Sequence, residues 1–228
     1  MKLLAADTAT RSLSVAVLDG GDCRAELTIY RRETHSRHLM RLIDQALSLA
    51  GLSLAELDGL VAVRGPGSFT GLRIGLSTLK GLALGAGKPV VGISALEALA
   101  HQAPLSPIPL HVLMDARKGQ VYQGIFRSEG ADLRPLADPS VLSPEAAAAT
   151  VAGDALLLGD GARLYWDRLR RETRGRVQLA PDGCHTLRAG TAARLGERRF
   201  VAGDPGAPAA LMPRYLRKSD AELALGAG

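Results

Sequence analysis

Apolar positions in the first hundred residues alternate between a period near two and a period near 3.6. That pattern predicts three strands followed by helix, strand, helix, strand and helix. Leu3–Ala6, Leu13–Leu18 and Ala25–Tyr30 read as strands, with Asp7-Thr-Ala-Thr10 and Asp19-Gly-Gly21 as the turns between them. Thr34 is placed to cap a helix running to about Ala50, where Gly51 stops it. A strand over Val61–Val63, a helix from about Thr70 to Ala86, a strand over Val90–Ile93 and a helix capped by Ser94 complete the half. Three prolines, Pro104, Pro107 and Pro109, then mark a boundary, giving lobes over 1–103 and 104–210, with 211–228 able to return to the first.

Beyond the prolines the opening pattern recurs. LLAADTATRSLSVAVL and HVLMDARKGQVYQGIF both read as an apolar strand ending in aspartate, Asp7 or Asp115, then a turn and an alternating strand, so the chain reads as internally duplicated. The second half continues with a helix over Pro144–Ala152, a strand over Ala155–Leu158, a helix over Ala162–Arg171, a strand over Val177–Leu179 and a helix over Thr186–Arg199. An alternation of this kind makes an α/β fold.

The stretch Leu60–Gly75 joins a buried strand to a helix through a loop almost without side chains. Gly65, Pro66 and Gly67 force the turn, and Ser68 or Thr70 is placed to cap the helix. Unpaired N–H groups at such a helix start can hold an anion, and a tight turn explains the same residues. Neither a phosphate-binding P-loop nor a G-x-G-x-x-G string is completed. In the helix that follows, glycines cost about 1 kcal/mol each relative to alanine, and close packing is the way to recover it. At 100° per residue Gly71, Gly75, Thr78, Leu82 and Gly85 line one narrow stripe, beside an apolar face of Leu72, Leu76, Leu79 and Ala83. The stripe either admits a helix of another molecule or packs on the helix over 34–50.

Composition narrows the chemistry. With 228 residues, 46% of them hydrophobic, the chain can bury a sizeable core. A net charge of +5 permits contact with nucleic acid, but three Phe, four Tyr and one Trp are too few for a base-stacking platform. Cys23 and Cys184 stand in unrelated contexts, which removes a disulfide framework and a cysteine zinc site. The expected setting is reducing and cytoplasmic, with no signal peptide and no membrane anchor. His35 and His38 lie three apart without a third ligand in the next turn, since Asp44 falls on the opposite side; His35 lines up instead with Leu39, Leu42 and Ala46. Ser68 sits in G-P-G-S-F and not in a nucleophile elbow. The arginines between Arg163 and Arg176 could touch tRNA or form a solvated helix face.

Two strand-turn-strand halves with an aspartate ending each first strand resemble the actin, sugar-kinase and Hsp70 (ASKHA) superfamily, a two-lobed fold, here with the second lobe reduced. More specifically, DTAT, ETHSRHL, RGPGSFTGLRIG, GISALEALA, DARKGQVY and PRYLR resemble the TsaB (YeaZ) family over nearly the whole chain. The resemblance implies a non-catalytic partner of TsaD in making threonylcarbamoyladenosine beside the anticodon of tRNAs that read codons beginning with A. It implies an interface formed by the first two helices, through His35, His38, Leu39, Leu42, Gly71, Ile74, Gly75, Thr78, Leu82 and Gly85, with TsaD or a second copy of the chain. The chain itself is expected to bind no cofactor and no metal, the assembly using ATP through TsaE and a metal through TsaD, whose H-x-x-x-H pair has no match here. A phosphotransferase of the superfamily would use a glycine in its first turn, and Asp7-Thr-Ala-Thr10 has none. Asp7, Thr8 and Thr10, with Gly65, Gly67 and Ser68, are therefore read as structural relics or as residual nucleotide contacts. An enzyme acting alone, an ATP-dependent kinase or a metalloprotease, is the competing expectation.

Overall fold

The computed structural model describes residues 1–30, 35–130, 132–204 and 206–217. Along the first half run β1 (Lys2–Asp7), β2 (Ser12–Asp19), β3 (Asp22–Tyr30), α1 (Leu39–Ala50), β4 (Gly59–Val63), α2 (Phe69–Ala86), β5 (Val90–Ile93) and α3 (Ala95–Ala100). The second half holds β6 (Leu110–Arg117), β7 (Gln120–Glu129), β8 (Asp132–Pro135), β9 (Ser140–Leu142), α4 (Pro144–Ala149), β10 (Ala155–Leu158), α5 (Asp160–Leu164), α6 (Trp166–Glu172), β11 (Val177–Leu179) and α7 (Ala189–Val201).

In the first sheet the strand order is β3-β2-β1-β4-β5, antiparallel among β3, β2 and β1 and parallel from β1 through β5. The register sets Ala5 beside Ala16 on one side and Val61 on the other. Both faces are covered, and the period of two sorts the side chains between them. Leu4, Ala6, Leu13, Val15, Val17, Leu60 and Ala62 join the core built with α1 and α2. Their alternates meet α7: a Cβ at Gly196 would collide with the Val61 side chain, and one at Gly59 would lie 2.9 Å from the Phe200 ring. Sheet residues also hold the start of α7, since Ser14 Oγ accepts from the Ala189 N–H at 2.9 Å and Glu26 Oε1 from the Gly190 N–H at 2.7 Å. A carboxylate at a helix N-terminus is favourable by position as well as by hydrogen bond.

The second sheet repeats the arrangement as β11-β10-β6-β7-β8, with β9 added on β7. Again one strand, β6, pairs antiparallel with its successor and parallel with a later strand, so the duplication read from Asp7 and Asp115 is a duplication of topology. Leu113, Val121, Leu157, Ala162 and Leu169 form its core with α4, α5 and α6. Those helices have 6, 5 and 7 residues against 12, 18 and 13 in α1, α2 and α7, which is the physical sense in which this half is reduced.

Several expectations change. Contacts divide the described residues into one unit within 1–98 and 187–214 and a second within 99–186 and 215–217, so the helix expected to end the second lobe packs in the first unit. Its stripe of Ala189, Ala192, Ala193, Leu195 and Gly196 fits either sheet by sequence; the hydrogen bonds from Ser14 and Glu26 are what tie it to the first. Leu211 lies in the first core, and the Arg214 N–H donates to the Arg64 carbonyl at 2.7 Å. The helix expected over Ala162–Arg171 is two, broken at Tyr165 with φ −107 and ψ 16. α1 starts at Leu39 after a 3-10 turn over His35–Arg37, and Thr34 lies outside the described residues. The short strands β8 and β9 have too few alternating residues to be read from sequence.

Candidate functional site

The turn after β1 is closed from within. Asp7 is 0% exposed; its Oδ1 accepts from the Ala9 N–H at 2.9 Å and its Oδ2 from the Thr10 hydroxyl at 3.4 Å. Thr8, also buried, donates from its hydroxyl to the Gly71 carbonyl at 2.8 Å. The glycine loop lies directly on this turn. A Cβ at Gly67 would collide with the Ala9 carbonyl and lie 2.7 Å from Ala9 Cβ, and Cβ atoms at Gly71 and Gly75 would collide with the Thr8 carbonyl and hydroxyl. Ser68 caps α2, its Oγ accepting from the Gly71 N–H at 3.2 Å, and its own N–H donates to the Ala9 carbonyl at 2.7 Å. Two donors at this helix start, the Ser68 and Gly71 N–H groups, therefore serve the chain itself. Gly65, at φ 111, makes the bend before it.

These contacts divide the predicted interface set. Gly71 and Gly75 are spent on the chain's own turn, and Leu39 and Leu42 are buried in the first core, so these four are internal. The stripe packs neither wholly inward nor wholly outward: Ile74, Thr78 and Leu82 are half-buried, and nothing lies within 4 Å of a Cβ at Gly81 or Gly85. Leu84, 71% exposed, flanks the open end. His35 points Nε2 at the Thr10 carbonyl, 2.9 Å away, which fixes a hydrogen on that nitrogen. His38 Nδ1 lies 3.2 Å from Arg41 Nη2. The pair thus serves local hydrogen bonds, and among the described residues no group of three His, Cys, Asp or Glu is arranged to hold a metal.

The second turn is built on the same plan with different chemistry. Asp115 Oδ1 accepts from the Arg117 N–H at 2.8 Å, while the Asp115 N–H donates to Asp160 Oδ1 at 3.0 Å. Gly159 and Gly161 play the part of Gly67 and Gly71: a Cβ at Gly159 would collide with the Leu113 carbonyl, and one at Gly161 would lie 2.8 Å from the Met114 carbonyl carbon. Arg117 and Lys118 take positive φ of 59° and 50°, conformations in which a side chain is strained. Along the arginine-rich segment Arg163, Arg168 and Arg170 each lie 3.7 Å from a carboxylate, of Asp182, Glu145 and Asp167, as on a solvated helix face.

Comparison with known proteins places this geometry. A family model described as TsaD, tRNA N6-adenosine threonylcarbamoyltransferase, matches residues 30–160. The chain is 38% identical to the tRNA threonylcarbamoyladenosine biosynthesis protein TsaB of Escherichia coli, over 64% of each chain. Its match to the TsaB of Haemophilus influenzae is 33% identical over 82% of this chain and 84% of that protein. Among solved structures, YeaZ from Pseudomonas aeruginosa superposes with a TM-score of 0.80 at 28% identity, covering 94% of this chain and 99% of that one. A ROK hexokinase from Thermus thermophilus, at 16% identity and a TM-score of 0.50 over 89% of this chain, shares the fold alone. No described helix is long and apolar enough to cross a membrane. With its closed first turn and its duplicated sheets, the chain belongs to the TsaB (YeaZ) family of tRNA threonylcarbamoyladenosine biosynthesis proteins, within the wider group of TsaD-type domains.

Proposed function

We propose that this chain is a non-catalytic subunit that binds TsaD. It supports transfer of the threonylcarbamoyl group from threonylcarbamoyl-adenylate to N6 of the adenosine beside the anticodon in tRNAs that read codons beginning with A. The reading is carried by one contrast along α2. Where the helix starts, glycines and hydroxyls are locked onto the Asp7 turn; where it ends, Gly81 and Gly85 are open beside half-buried Leu82 and exposed Leu84. Missing side chains let another helix approach closely, and the apolar neighbours reward that approach with buried area. The resemblance of residues 30–160 to the transferase supports a pairing of like surfaces, with TsaD in the assembly or with a second copy when the chain is isolated. ATP enters through TsaE and a metal through TsaD, in the cytoplasm, and tRNA is met through the assembly.

Reconstitution tests this. Purified chain mixed with TsaD, TsaC, TsaE, ATP, threonine, bicarbonate and tRNA is expected to form the modified nucleoside, and omission of this chain to stop it. The same preparation, alone, is expected to hold no stoichiometric metal and to leave ATP intact. Product formed equally well without the chain would overturn the reading.

A further inference from the structure

Positive charge gathers in one run of the second unit, and the fold divides it. Between Arg163 and Arg176 the chain carries six arginines and two carboxylates, Asp167 and Glu172, a local 6 − 2 = +4 beside +5 for the whole chain. Arg163 and Arg168 lie against Asp182 and Glu145, which reach them from outside the run, and Arg170 pairs with Asp167 inside it. No ion pair holds Arg171, Arg174 or Arg176 among the described residues, and all three are exposed.

The backbone that carries these three is held. Thr173 ends α6, its N–H and its hydroxyl donating to the Leu169 carbonyl at 3.0 and 2.7 Å. Two residues on, Gly175 lies so close to the loop before β10 that a Cβ there would collide with the Gly153 carbonyl. Arg176 then donates its N–H to Asp154 Oδ1 at 3.3 Å, and its carbonyl accepts from the Ala155 N–H at 3.1 Å. Val177 and Leu179 pack on the second core, so the alternation along β11 turns Gln178, and Arg176 before it, the other way. Arg171 stands about 200° round α6 from buried Leu169. Fixed main chain therefore presents guanidinium groups that the chain itself does not use.

We propose that Arg171, Arg174 and Arg176 form a contact surface for the phosphate backbone of a folded RNA. Guanidinium groups suit phosphate because two parallel N–H bonds can point at one oxyanion. The steps from Arg171 to Arg176 reach at most about 18 Å, and a duplex presents a negative charge roughly every 2 Å along its axis, so one stretch of backbone meets all three. Backbone contact is the mode that composition leaves, since three Phe, four Tyr and one Trp make no platform for stacked bases. The choice of RNA rests on the proposed role in tRNA modification; the unpaired arginines and their held backbone stand without it.

Fluorescence anisotropy of a labelled tRNA transcript with the full chain, in potassium chloride from about 50 to about 200 mM, reads the affinity and its salt slope. Arg171→Gln/Arg174→Gln is expected to weaken binding about tenfold at about 100 mM and to flatten the slope of log affinity against log salt by about 1.5–2, the share of two phosphate contacts. Arg163→Gln/Arg168→Gln removes the same charge from arginines already set against carboxylates, and is expected to change affinity by about twofold or less. Both variants are expected to melt with the parent chain, because each loses only exposed side chains. Equal losses from the two pairs would refute the surface, since net charge alone would then carry the binding. So would a parent chain that binds no tRNA at about 50 mM salt. An Arg171→Gln/Arg174→Gln chain that keeps tRNA and loses TsaD would make the surface a protein contact and overturn the RNA assignment. The curve is read without TsaD, so its failure is distinct from that of the omission experiment, which tests the role in the assembly.

Discussion

Glycines on one helix face should have opposite effects when replaced by alanine, depending only on what stands above them. At Gly71 a Cβ would collide with the Thr8 carbonyl, a backbone atom, and would press on Ser68 Cβ at 3.3 Å. Overpacking against groups that cannot rotate away costs about 1–3 kcal/mol. Displacing Thr8 also strains its hydroxyl bond to the Gly71 carbonyl, at 2.8 Å, worth about 1 kcal/mol. The helix gains about 1 kcal/mol from alanine, which offsets only part. Gly71→Ala should therefore lose about 1–3 kcal/mol net, a fall of about 2–12 °C in melting temperature for a chain of this size. Gly85→Ala meets nothing within 4 Å, so only the propensity gain remains and melting should rise by a few degrees. Differential scanning calorimetry of both variants, with urea midpoints as a second probe, decides. Equal shifts of the same sign would show that the helix start is not packed on the Asp7 turn.

Three further outcomes follow from other parts of the molecule. Asp7→Ala removes the acceptor of the buried Ala9 N–H and should cost about 1–3 kcal/mol in urea unfolding while ATP turnover stays at background; hydrolysis that vanishes with this change would instead mark Asp7 as catalytic. His111, 3% exposed, is pushed down by burial from 6.5 to about 4, and the Gln123 amide nitrogen 3.4 Å from its Nδ1 suits the neutral ring. Because its folded pKa lies below the unfolded one, its contribution is full above pH ~6.5 and roughly 3 kcal/mol is lost as the pH falls to ~4, so His111→Gln should flatten the acid limb of the urea midpoint; identical limbs would remove His111 from the account. Gly85→Arg should weaken copurification with TsaD about tenfold with little change in melting, whereas a chain that melts early and still copurifies would return this end of the stripe to the interior.

Strands β5, β10 and β11 match their predicted limits residue for residue, because each is a short apolar run bounded by turn formers, a signal that is local. Duplication was legible for the same reason, since two strands ending in Asp7 and Asp115 carry their turns with them. The glycine stripe was legible as a stripe, but its division was not: Gly71 and Gly85 sit on the same stripe near opposite ends of α2, and only the Asp7 turn, whose Thr8 is 63 residues from Gly71 in sequence, covers one and misses the other. Helix α7 likewise shows an apolar face that suits either sheet, and Ser14 and Glu26 tie it to the first. The arginines from Arg163 to Arg176 form one run in sequence, and only the fold sets Asp182 and Glu145 beside Arg163 and Arg168 and leaves Arg171, Arg174 and Arg176 without an ion pair among the described residues. By itself the sequence determined most of the elements, their repetition and the family, since these rest on neighbours in the chain. Which faces are spent and which are left open was decided by tertiary structure, since burial depends on residues that the chain keeps far apart.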